Sequence, residues 1–297
     1  MNWTGVIPAI TTNLRASGAV DHPALARHCR WMIDSGCTGL VACGSLGEAA
    51  TLSFEERIAV ASTCVKAVGG RAPVVLGIAA LSTAGAVAQA RAAARAGCAG
   101  LMVLPAYAYS TDWREMKAHV SAVLKATRLS CMLYNNPISY KTDFRPEQVA
   151  ELAAGHANLH AVKESSADVR RVTAIRAALG DRLALLVGVD DEIVEGMAAG
   201  ATGWIAGLAN AFPVESVGLF DAATKGNTAR VRSLYEWFLP LLRLDTVPKF
   251  VQYIKWVQAE IGCGSAVVRP PRLPLAGDEL AGVRAILKQA LATRPGR

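Results

Sequence analysis

Short apolar runs alternate with longer amphipathic stretches along the chain up to about residue 225. The runs are rich in Val, Leu and Ile, which is typical of parallel strands that are buried on both faces. We predict strands at Val6–Ala9, Gly39–Ala42, Val74–Ile78, Gly100–Leu104, Ser130–Tyr134, Leu159–Val162, Leu183–Val187 and Gly203–Ile205.

The stretches between these runs predict helices. Ser53 and Ser82 precede two of them, where a hydroxyl caps the first backbone N–H groups. Gly36, Gly97 and Gly200 follow three of them, and glycine commonly ends a helix. The predicted helices are Pro23–Asp34, Phe54–Val68, Thr83–Ala96, Asp112–Thr127, Pro146–Ala154, Asp168–Leu179, Glu192–Ala199 and Val214–Thr224.

This succession of strand–helix units predicts a parallel sheet and an α/β fold. Its length is close to the roughly 250 residues that are typical of a closed (β/α)8 TIM barrel. An open doubly wound sheet is the alternative, but it usually has a glycine-rich fingerprint after its first strand, and Ile10–Asn13 is not one. We therefore predict a barrel with the active site over residues 1–225 and a C-terminal three-helix extension over residues 226–297.

The extension shows helical periodicity and no further strand. No linker of disordered composition separates it from the barrel, so we predict an appendage that packs against the barrel or forms an oligomer contact. Its predicted helices are Thr228–Leu242, Thr246–Ile261 and Asp278–Ala292.

Composition narrows the classes of partner. The chain has 297 residues, a formal net charge of +7 and 52% hydrophobic residues, which fits a well-buried globular protein. A nucleic-acid-binding protein concentrates its basic residues in one stripe, whereas the densest group here, Arg170, Arg171 and Arg176, is better explained as a solvated helix face. We predict an anionic small-molecule partner, and neither nucleic acid nor a membrane.

The cysteines and the N-terminus indicate a cytoplasmic protein. None of the seven cysteines belongs to a CxxC pair, and their place inside apolar runs predicts reduced, buried thiols. No apolar run approaches the roughly 20 residues of a membrane span, and residues 1–5 do not resemble a secretion signal. The five histidines do not cluster with the cysteines, so we predict neither a metal nor another cofactor.

Lys163 stands at the C-terminal end of a predicted strand. An amine buried there loses hydration, which lowers its pKa, and the neutral amine can attack a carbonyl and form a Schiff base. Lys141 lies in a loop. The other lysines lie on predicted helices, where we expect solvated surface charges: Lys66, Lys117, Lys125, Lys225, Lys249, Lys255 and Lys288.

Other strand ends supply further candidates, because the active site of a (β/α)8 barrel lies at that face. The turn Gly44–Glu48 has glycines whose neighbouring backbone N–H groups can bind a carboxylate, although an ordinary turn is the alternative. Tyr134 is a candidate proton shuttle, with a pKa lowered by a nearby ammonium or Schiff base, or else a core aromatic. We interpret Glu48 as a buried structural carboxylate.

Together these residues resemble the dihydrodipicolinate synthase / N-acetylneuraminate lyase family. The resemblance rests on Gly44–Glu48, Leu133–Pro137, Val162–Glu164 and Gly188–Asp191, and their order and spacing fit nearly the whole chain. It implies a (β/α)8 barrel in which a lysine forms a Schiff base with a 2-keto acid, usually pyruvate.

Specific roles follow from the resemblance. It implies that Lys163 is the Schiff-base lysine, Tyr134 the acid/base residue and Ser45 the hydroxyl that relays protons and holds the substrate carboxylate. Tyr107 matches a tyrosine that reaches the neighbouring subunit in tetrameric members, so we expect a homotetramer or dimer. The residues expected to contact substrate are Ser45, Leu46, Ser139, Gly188, Ile205 and Asn210.

Two departures from the family pattern bear on the substrate. Ser139 stands where members that make dihydrodipicolinate carry an arginine that clamps a second carboxylate, and Lys141 lacks the same fork geometry. Leu46 replaces the second hydroxyl of the turn, which makes the pocket more apolar and breaks that relay.

Three hypotheses remain open. The chain is most similar to the branch that deaminates 1-pyrroline-4-hydroxy-2-carboxylate to 2-oxoglutarate semialdehyde and ammonia. A pyruvate-dependent aldolase or dehydratase of a 2-keto-3-deoxy sugar acid, or a dihydrodipicolinate synthase-like enzyme, is the second; a sugar acid would need hydroxyl-binding groups such as Asn210, Ser139 and Thr142. The third is a non-catalytic barrel that senses a keto acid.

Overall fold

The predicted apolar runs form one parallel sheet in the computed structural model, which describes residues 1–108 and 112–295. The observed bounds differ from the predicted ones by a residue or two, as expected where strands fray into loops. The strands are β1 Gly5–Pro8, β2 Leu40–Ala42, β3 Val74–Ile78, β4 Gly100–Val103, β5 Ser130–Asn135, β6 Leu159–Glu164, β7 Ala184–Val187 and β8 Gly203–Ala206.

The sheet curls into a barrel. Its hydrogen-bonded order runs β1-β8-β7-β6-β5-β4-β3-β2, and each neighbouring pair in this order is parallel. A parallel bridge between Ala9 and Val41 joins the two edges, and the N–H of Ile10 donates to the carbonyl of Val41 at 2.9 Å. This topology confirms the (β/α)8 barrel and excludes the open doubly wound sheet.

Helices alternate with the strands around the outside of the barrel. Ser53 caps α2 through a reciprocal capping box with Glu56, as its sequence position predicts. The helices are α1 His22–Asp34, α2 Phe54–Val68, α3 Thr83–Arg95, α4 Trp113–Lys125, α5 Pro137–Tyr140, α6 Pro146–Gly155, α7 Arg170–Leu179, α8 Ile193–Ala198, α9 Pro213–Thr224, α10 Thr228–Leu242, α11 Phe250–Glu260 and α12 Gly277–Ala292.

Helix α5 was not predicted, because four residues are too few to show helical periodicity. Asn136 caps it by accepting the N–H of Ser139 at 2.9 Å, and Pro137 occupies its first position. The short helix lies directly after β5 and therefore at the face where the strands end.

Two apolar layers hold the barrel together. One lies between the sheet and the helices. The other fills the barrel interior and includes Ile7, Val41, Val75, Met132 and Ile205. The interior is a packed core and not a pore, as in other barrels of this type, so chemistry is confined to the open end of the strands.

The helical extension packs directly on the barrel. Leu234 and Phe238 of α10 belong to the same hydrophobic cluster as the barrel helices. Lys255 of α11 is buried and donates to Glu48 at 2.6 Å. Our prediction that Lys255 is a surface charge is therefore wrong, because its helix faces the barrel and not water. Positions 296 and 297 of the predicted extension lie outside the described residues.

Two further observations concern the thiols and the helices. All seven cysteines are free. Six of them are buried, as their apolar surroundings predict, whereas Cys263 is only partly buried. In the ranges that the structure describes, every helix is too short or too polar to cross a membrane.

Candidate active site

Lys163 lies at the open end of the barrel, on the strand that the sequence indicates. It is buried and pairs in register with Tyr134 of β5, and its Nζ lies 4.0 Å from the centroid of the tyrosine ring. Gly188 follows the neighbouring strand β7, and a Cβ there would lie 2.5 Å from Lys163 Cε and overlap Ser165 Oγ. Glycine at this position therefore leaves the space in which the lysine side chain lies.

Burial changes the protonation of the lysine. Loss of hydration lowers the pKa of Lys163 to about 8, against the opposing attraction of Asp245 and Asp190. A pKa near 8 leaves about one amine in ten neutral at pH 7, compared with fewer than about one in a thousand at the ordinary pKa. The expectation of a lowered lysine pKa is confirmed, and it gives the nucleophile that Schiff-base formation requires.

Asp190 is fully buried, and its carboxyl attracts the Lys163 ammonium. Its oxygens accept from Trp204 Nε1 at 2.9 Å, Gly207 N at 2.9 Å and Leu208 N at 2.6 Å. Burial nevertheless raises its pKa to about 6. Strand β8 and the loop after it thus supply the fixed donors that hold this carboxyl at the strand ends.

Tyr134 is buried, and its hydroxyl accepts from Asn136 Nδ2 at 3.0 Å. Burial raises the pKa of Tyr134 above its ordinary value, and the hydrogen bond from Asn136 only partly opposes this. Our expectation of a lowered tyrosine pKa is wrong for the free chain, because desolvation of the phenolate outweighs the hydrogen bonds of Asn136, Ser45 and Ser165.

The turn Gly44–Glu48 has a strained backbone, and two of its backbone N–H groups are available to a ligand. Cys43 and Glu48, which bracket it, both have φ near +57°, a region that non-glycine residues rarely occupy. The N–H groups of Ser45 and Leu46 have no acceptor among the described residues. They are suited to a substrate carboxylate. The Leu46 side chain is buried in the outer hydrophobic core, so only its backbone is available to a ligand.

Tyr140, which the sequence analysis missed, lies between the predicted site residues Tyr134 and Tyr107. Tyr140 ends helix α5, and its hydroxyl hydrogen-bonds Ser45 Oγ. Its ring lies 5.9 Å from that of Tyr134 and 4.9 Å from that of Tyr107. Tyr107 therefore reaches this aromatic cluster through Tyr140, and Ser45 interacts with the hydroxyls of both Tyr140 and Tyr134.

The remaining predicted ligands lie in different environments. Ser139 is exposed on α5, and Lys141 is exposed at its end. Ile205 is buried in the barrel interior, and Thr142 is buried beyond α5. Gly188 contributes space beneath Lys163.

Asn210 has a structural role. Its Oδ1 accepts from Thr11 N and lies 2.9 Å from His28 Nε2, and its Nδ2 donates to the carbonyls of Ala9 and Gly207. These bonds use the whole hydrogen-bonding capacity of the amide. Our expectation that Asn210 binds substrate is therefore not supported by the structure.

Two more groups that the sequence analysis missed lie beside the lysine. Asp245 belongs to the extension, about 80 residues from Lys163 in the chain, and no local pattern marks it. The Ser165 hydroxyl is buried beside the lysine and acts on the Tyr134 hydroxyl. The position of Ser165, two residues after the lysine on a strand end, was a usable signal.

Sequence comparisons find one family along nearly the whole chain. Residues 2–290 match the dihydrodipicolinate synthetase family. A 4-hydroxy-tetrahydrodipicolinate synthase of Mesorhizobium japonicum is 30% identical over 286 residues, which cover 96% of this chain and 98% of the relative. One from a Psychrobacter species is 35% identical over 270 residues, 90% of this chain and 88% of the relative.

Solved structures show the same fold. The dihydrodipicolinate synthase of Aquifex aeolicus is 27% identical, with a TM-score of 0.93, and the match covers 97% of this chain and 98% of that one. A prophage protein of the same family from E. coli K12, solved with pyruvate, is 27% identical, with a TM-score of 0.92 and coverage of 98% and 99%.

Proposed function

The chain belongs to the dihydrodipicolinate synthetase family, and from that premise we propose that it deaminates 1-pyrroline-4-hydroxy-2-carboxylate. The products are 2-oxoglutarate semialdehyde and ammonia. The chain is an enzyme of a lysine Schiff-base lyase family, so the alternative of a keto-acid sensor is set aside.

The distribution of charge around Lys163 carries the proposal. The carboxyls of Asp190 and Asp245 attract the Lys163 ammonium. The exposed Ser139 stands where the dihydrodipicolinate-forming members carry an arginine, so no guanidinium is present at that position. Such surroundings favour a cationic nitrogen and disfavour a second substrate carboxylate. The pyrroline carries one carboxylate, and its ring nitrogen becomes an amine when the ring opens.

The substrate carboxylate has a matching place at the turn after β2. The free N–H groups of Ser45 and Leu46 can hold one carboxylate without a charged side chain. Because the Leu46 side chain lies in the outer core, this end of the site offers the two backbone N–H groups and the Ser45 hydroxyl. A small substrate with a single acid group fits these features.

The reaction proceeds through an imine on Lys163. The neutral amine adds to the ring C=N carbon, the ring C–N bond breaks, and the protonated lysine imine becomes an electron sink. Tyr134 gives its proton to the ring nitrogen as the ring opens, and its phenolate then takes the proton from the adjacent carbon. That proton passes to the C4 hydroxyl, which leaves as water. Proton transfers then move the double bond to the terminal nitrogen. Hydrolysis of the terminal imine and of the lysine imine consumes two waters and releases ammonia and the semialdehyde.

Ammonia release from the pyrroline tests the proposal. We expect the purified protein to release one ammonia per pyrroline consumed, and the Lys163→Ala variant to release none above background. Lys66→Ala, on the outer helix α2, is the matched control. A protein that releases no ammonia, yet condenses pyruvate with an aldehyde, contradicts the assignment.

A pyruvate-dependent synthase or aldolase is the second candidate. The relatives named 4-hydroxy-tetrahydrodipicolinate synthase favour it. Arg272 also acts on Tyr140 and lies 3.8 Å from Glu48, so one guanidinium faces this side of the barrel mouth. Condensation of pyruvate with aspartate semialdehyde, or cleavage of a 2-keto-3-deoxy sugar acid, would favour this candidate over the deaminase.

A further inference from the structure

A cavity of about 510 Å³ lies between the barrel and its helical extension. Asn13 and Leu14, in the loop after β1, form one wall, helix α1 forms the second, and the segment Gly262–Ser265 after α11 forms the third. Lys163 and Tyr134 do not line it. Its volume falls in the range of small-molecule pockets, roughly 300–1,000 Å³.

The Asn13 side chain supplies a buried acceptor in the wall of this cavity. The residue is only 4% exposed, and its Oδ1 has no hydrogen-bond partner among the described residues. Its backbone carbonyl is used, because it accepts the N–H of Asp21 at 2.8 Å. Buried amide oxygens nearly always have a partner, so the Asn13 amide is open to a donor inside the cavity.

His28 supplies a second acceptor in the same wall. The hydrogen bonds described above make Asn210 Oδ1 an acceptor, and this oxygen lies 2.9 Å from His28 Nε2. The proton of the neutral imidazole is therefore on Nε2. Burial lowers the pKa of His28, which keeps the ring neutral. Its Nδ1 is consequently an acceptor, and it has no partner within the described part of the chain.

The cavity is also lined by one group of each charge. Asp21 is half-buried, and its Oδ1 accepts the N–H of Ala24 at 3.0 Å. Arg27 is exposed on α1 and forms no ion pair with any residue that the structure describes. The cavity therefore combines a carboxylate with an unpaired guanidinium, a cation that suits a carboxylate ligand.

The remaining lining is largely apolar. Leu14 is buried, and Ala24 and Trp31 are half-buried on the face of α1 that carries His28. The rings of His28 and Trp31 lie 5.8 Å apart. Gly262 on the opposite wall has no side chain. An apolar group of a ligand therefore has surface to contact beside the two acceptors.

We propose that this cavity binds an α-amino acid with an apolar side chain. The ligand ammonium donates to Asn13 Oδ1 and His28 Nδ1, its carboxylate pairs with Arg27, and its side chain packs against Leu14 and Trp31. An ammonium has three donors and no acceptor, so it matches two adjacent acceptors. An anion without an amine leaves both acceptors unpaired, and an amine without a carboxylate leaves the guanidinium unpaired. The site does not depend on imine chemistry at Lys163.

Isothermal titration calorimetry of the full chain tests the site, with leucine as the ligand. Two analogues separate its groups: isocaproate lacks the ammonium, and isoamylamine lacks the carboxylate. We expect leucine to bind, isocaproate to bind at least about tenfold more weakly because two buried acceptors stay unpaired, and isoamylamine about fivefold more weakly because one exposed ion pair is lost. Lysine, whose second ammonium would meet the apolar wall, is expected to bind more weakly than leucine.

Variants assign each group of the ligand to its residue. Asn13→Ala should weaken leucine and isoamylamine equally, by about tenfold, because both carry the ammonium. Arg27→Gln should weaken leucine about fivefold and leave isoamylamine unchanged. Arg30→Gln is the matched control, because Arg30 is equally exposed on α1 but does not line the cavity. Should Asn13→Ala fail to fold, the exposed Arg27 still provides the comparison between the two ligands.

The outcomes distinguish this site from the active site and from a water-filled cavity. No binding of leucine at millimolar concentration means that water alone satisfies the two acceptors, and it overturns the proposal. Equal affinities in the wild type and in Asn13→Ala and Arg27→Gln, or tighter binding of lysine than of leucine, also overturn it. Lys163→Ala should bind leucine normally, and loss of binding there places the ligand at the active site instead. Absence of ammonia release from the pyrroline rejects the deaminase and leaves this site standing.

Discussion

Burial shifts the pKa values of the two central residues in opposite directions, and both shifts favour the neutral form. The pKa of Lys163 falls to about 8, while that of Tyr134 rises above its ordinary value. The neutral amine is the nucleophile, and the neutral phenol keeps its proton until an adjacent imine charge appears. The same dry environment therefore prepares one residue to attack and the other to remain an acid.

At residue scale, we expect Gly188→Ala to abolish imine formation. A Cβ at this position would lie 2.5 Å from Lys163 Cε and displace the lysine from its place over Tyr134. Trapping of pyruvate should fall at least about 100-fold, the scale at which misplaced catalytic groups act. Gly155→Ala, where the added methyl meets open space, should trap pyruvate normally. Equal rates for the two variants would contradict this account.

At element scale, the residue that caps helix α5 also hydrogen-bonds the candidate acid/base residue Tyr134. Asn136 caps α5 through its Oδ1 and donates to the Tyr134 hydroxyl through its Nδ2. The helix in turn carries Tyr140 to Ser45. One amide therefore positions two tyrosines at the barrel mouth.

Two substitutions at Asn136 separate these functions. Asn136→Asp keeps the cap acceptor and loses the donor, whereas Asn136→Ala loses both. We expect kcat to fall about tenfold in the Asp variant and further in the Ala variant, with an additional loss of up to about 1 kcal/mol of unfolding free energy in the latter. Identical kcat values and stabilities for both variants would show that the cap does not matter.

The extension is joined to the turn after β2 by a buried ion pair. Both Glu48 and Lys255 are 1% exposed, and they lie 2.6 Å apart. We expect Glu48→Gln to lower the free energy of unfolding by about 3–5 kcal/mol, because it leaves Lys255 without a compensating charge. Urea denaturation measures this. The double variant Glu48→Gln, Lys255→Met should recover most of the loss, and no recovery would contradict the electrostatic explanation.

At the scale of the whole molecule, the barrel and its extension act together. Asp245 of the extension lies beside the buried Asp190 at the strand ends, and Lys255 pairs with Glu48 of the turn after β2. Removal of residues 226–297 would therefore remove contacts at the barrel mouth and expose the core between α10 and the barrel. The extension supports the open end of the barrel as well as packing against its helices.

The resemblance that the sequence shows also predicts a homo-oligomer. Light scattering should give a mass that is two or four times the 31.2 kDa of one chain. We expect Tyr107→Ala to lower turnover, because it removes the ring that packs against Tyr140 beside Ser45. A mass of one chain at micromolar concentration would contradict the prediction of an oligomer.

The sequence by itself determined the barrel, the strand that carries the lysine, and the lowered pKa of that lysine. These follow from local pattern, because buried parallel strands are continuous apolar runs and an amine at the end of one loses water. Glu48 as a buried structural carboxylate was also correctly predicted, from its place in the turn Gly44–Glu48.

Only the tertiary structure decided which distant groups meet at the lysine. Asp245 is separated from Lys163 by two strands and several helices, Tyr140 lies on a helix too short for a periodic signal, and Lys255 faces inward because α11 packs against the barrel. The raised pKa of Tyr134 likewise depends on burial by neighbours that are remote in the chain. Local pattern shows what each element is, whereas the environment of a side chain depends on which elements pack around it.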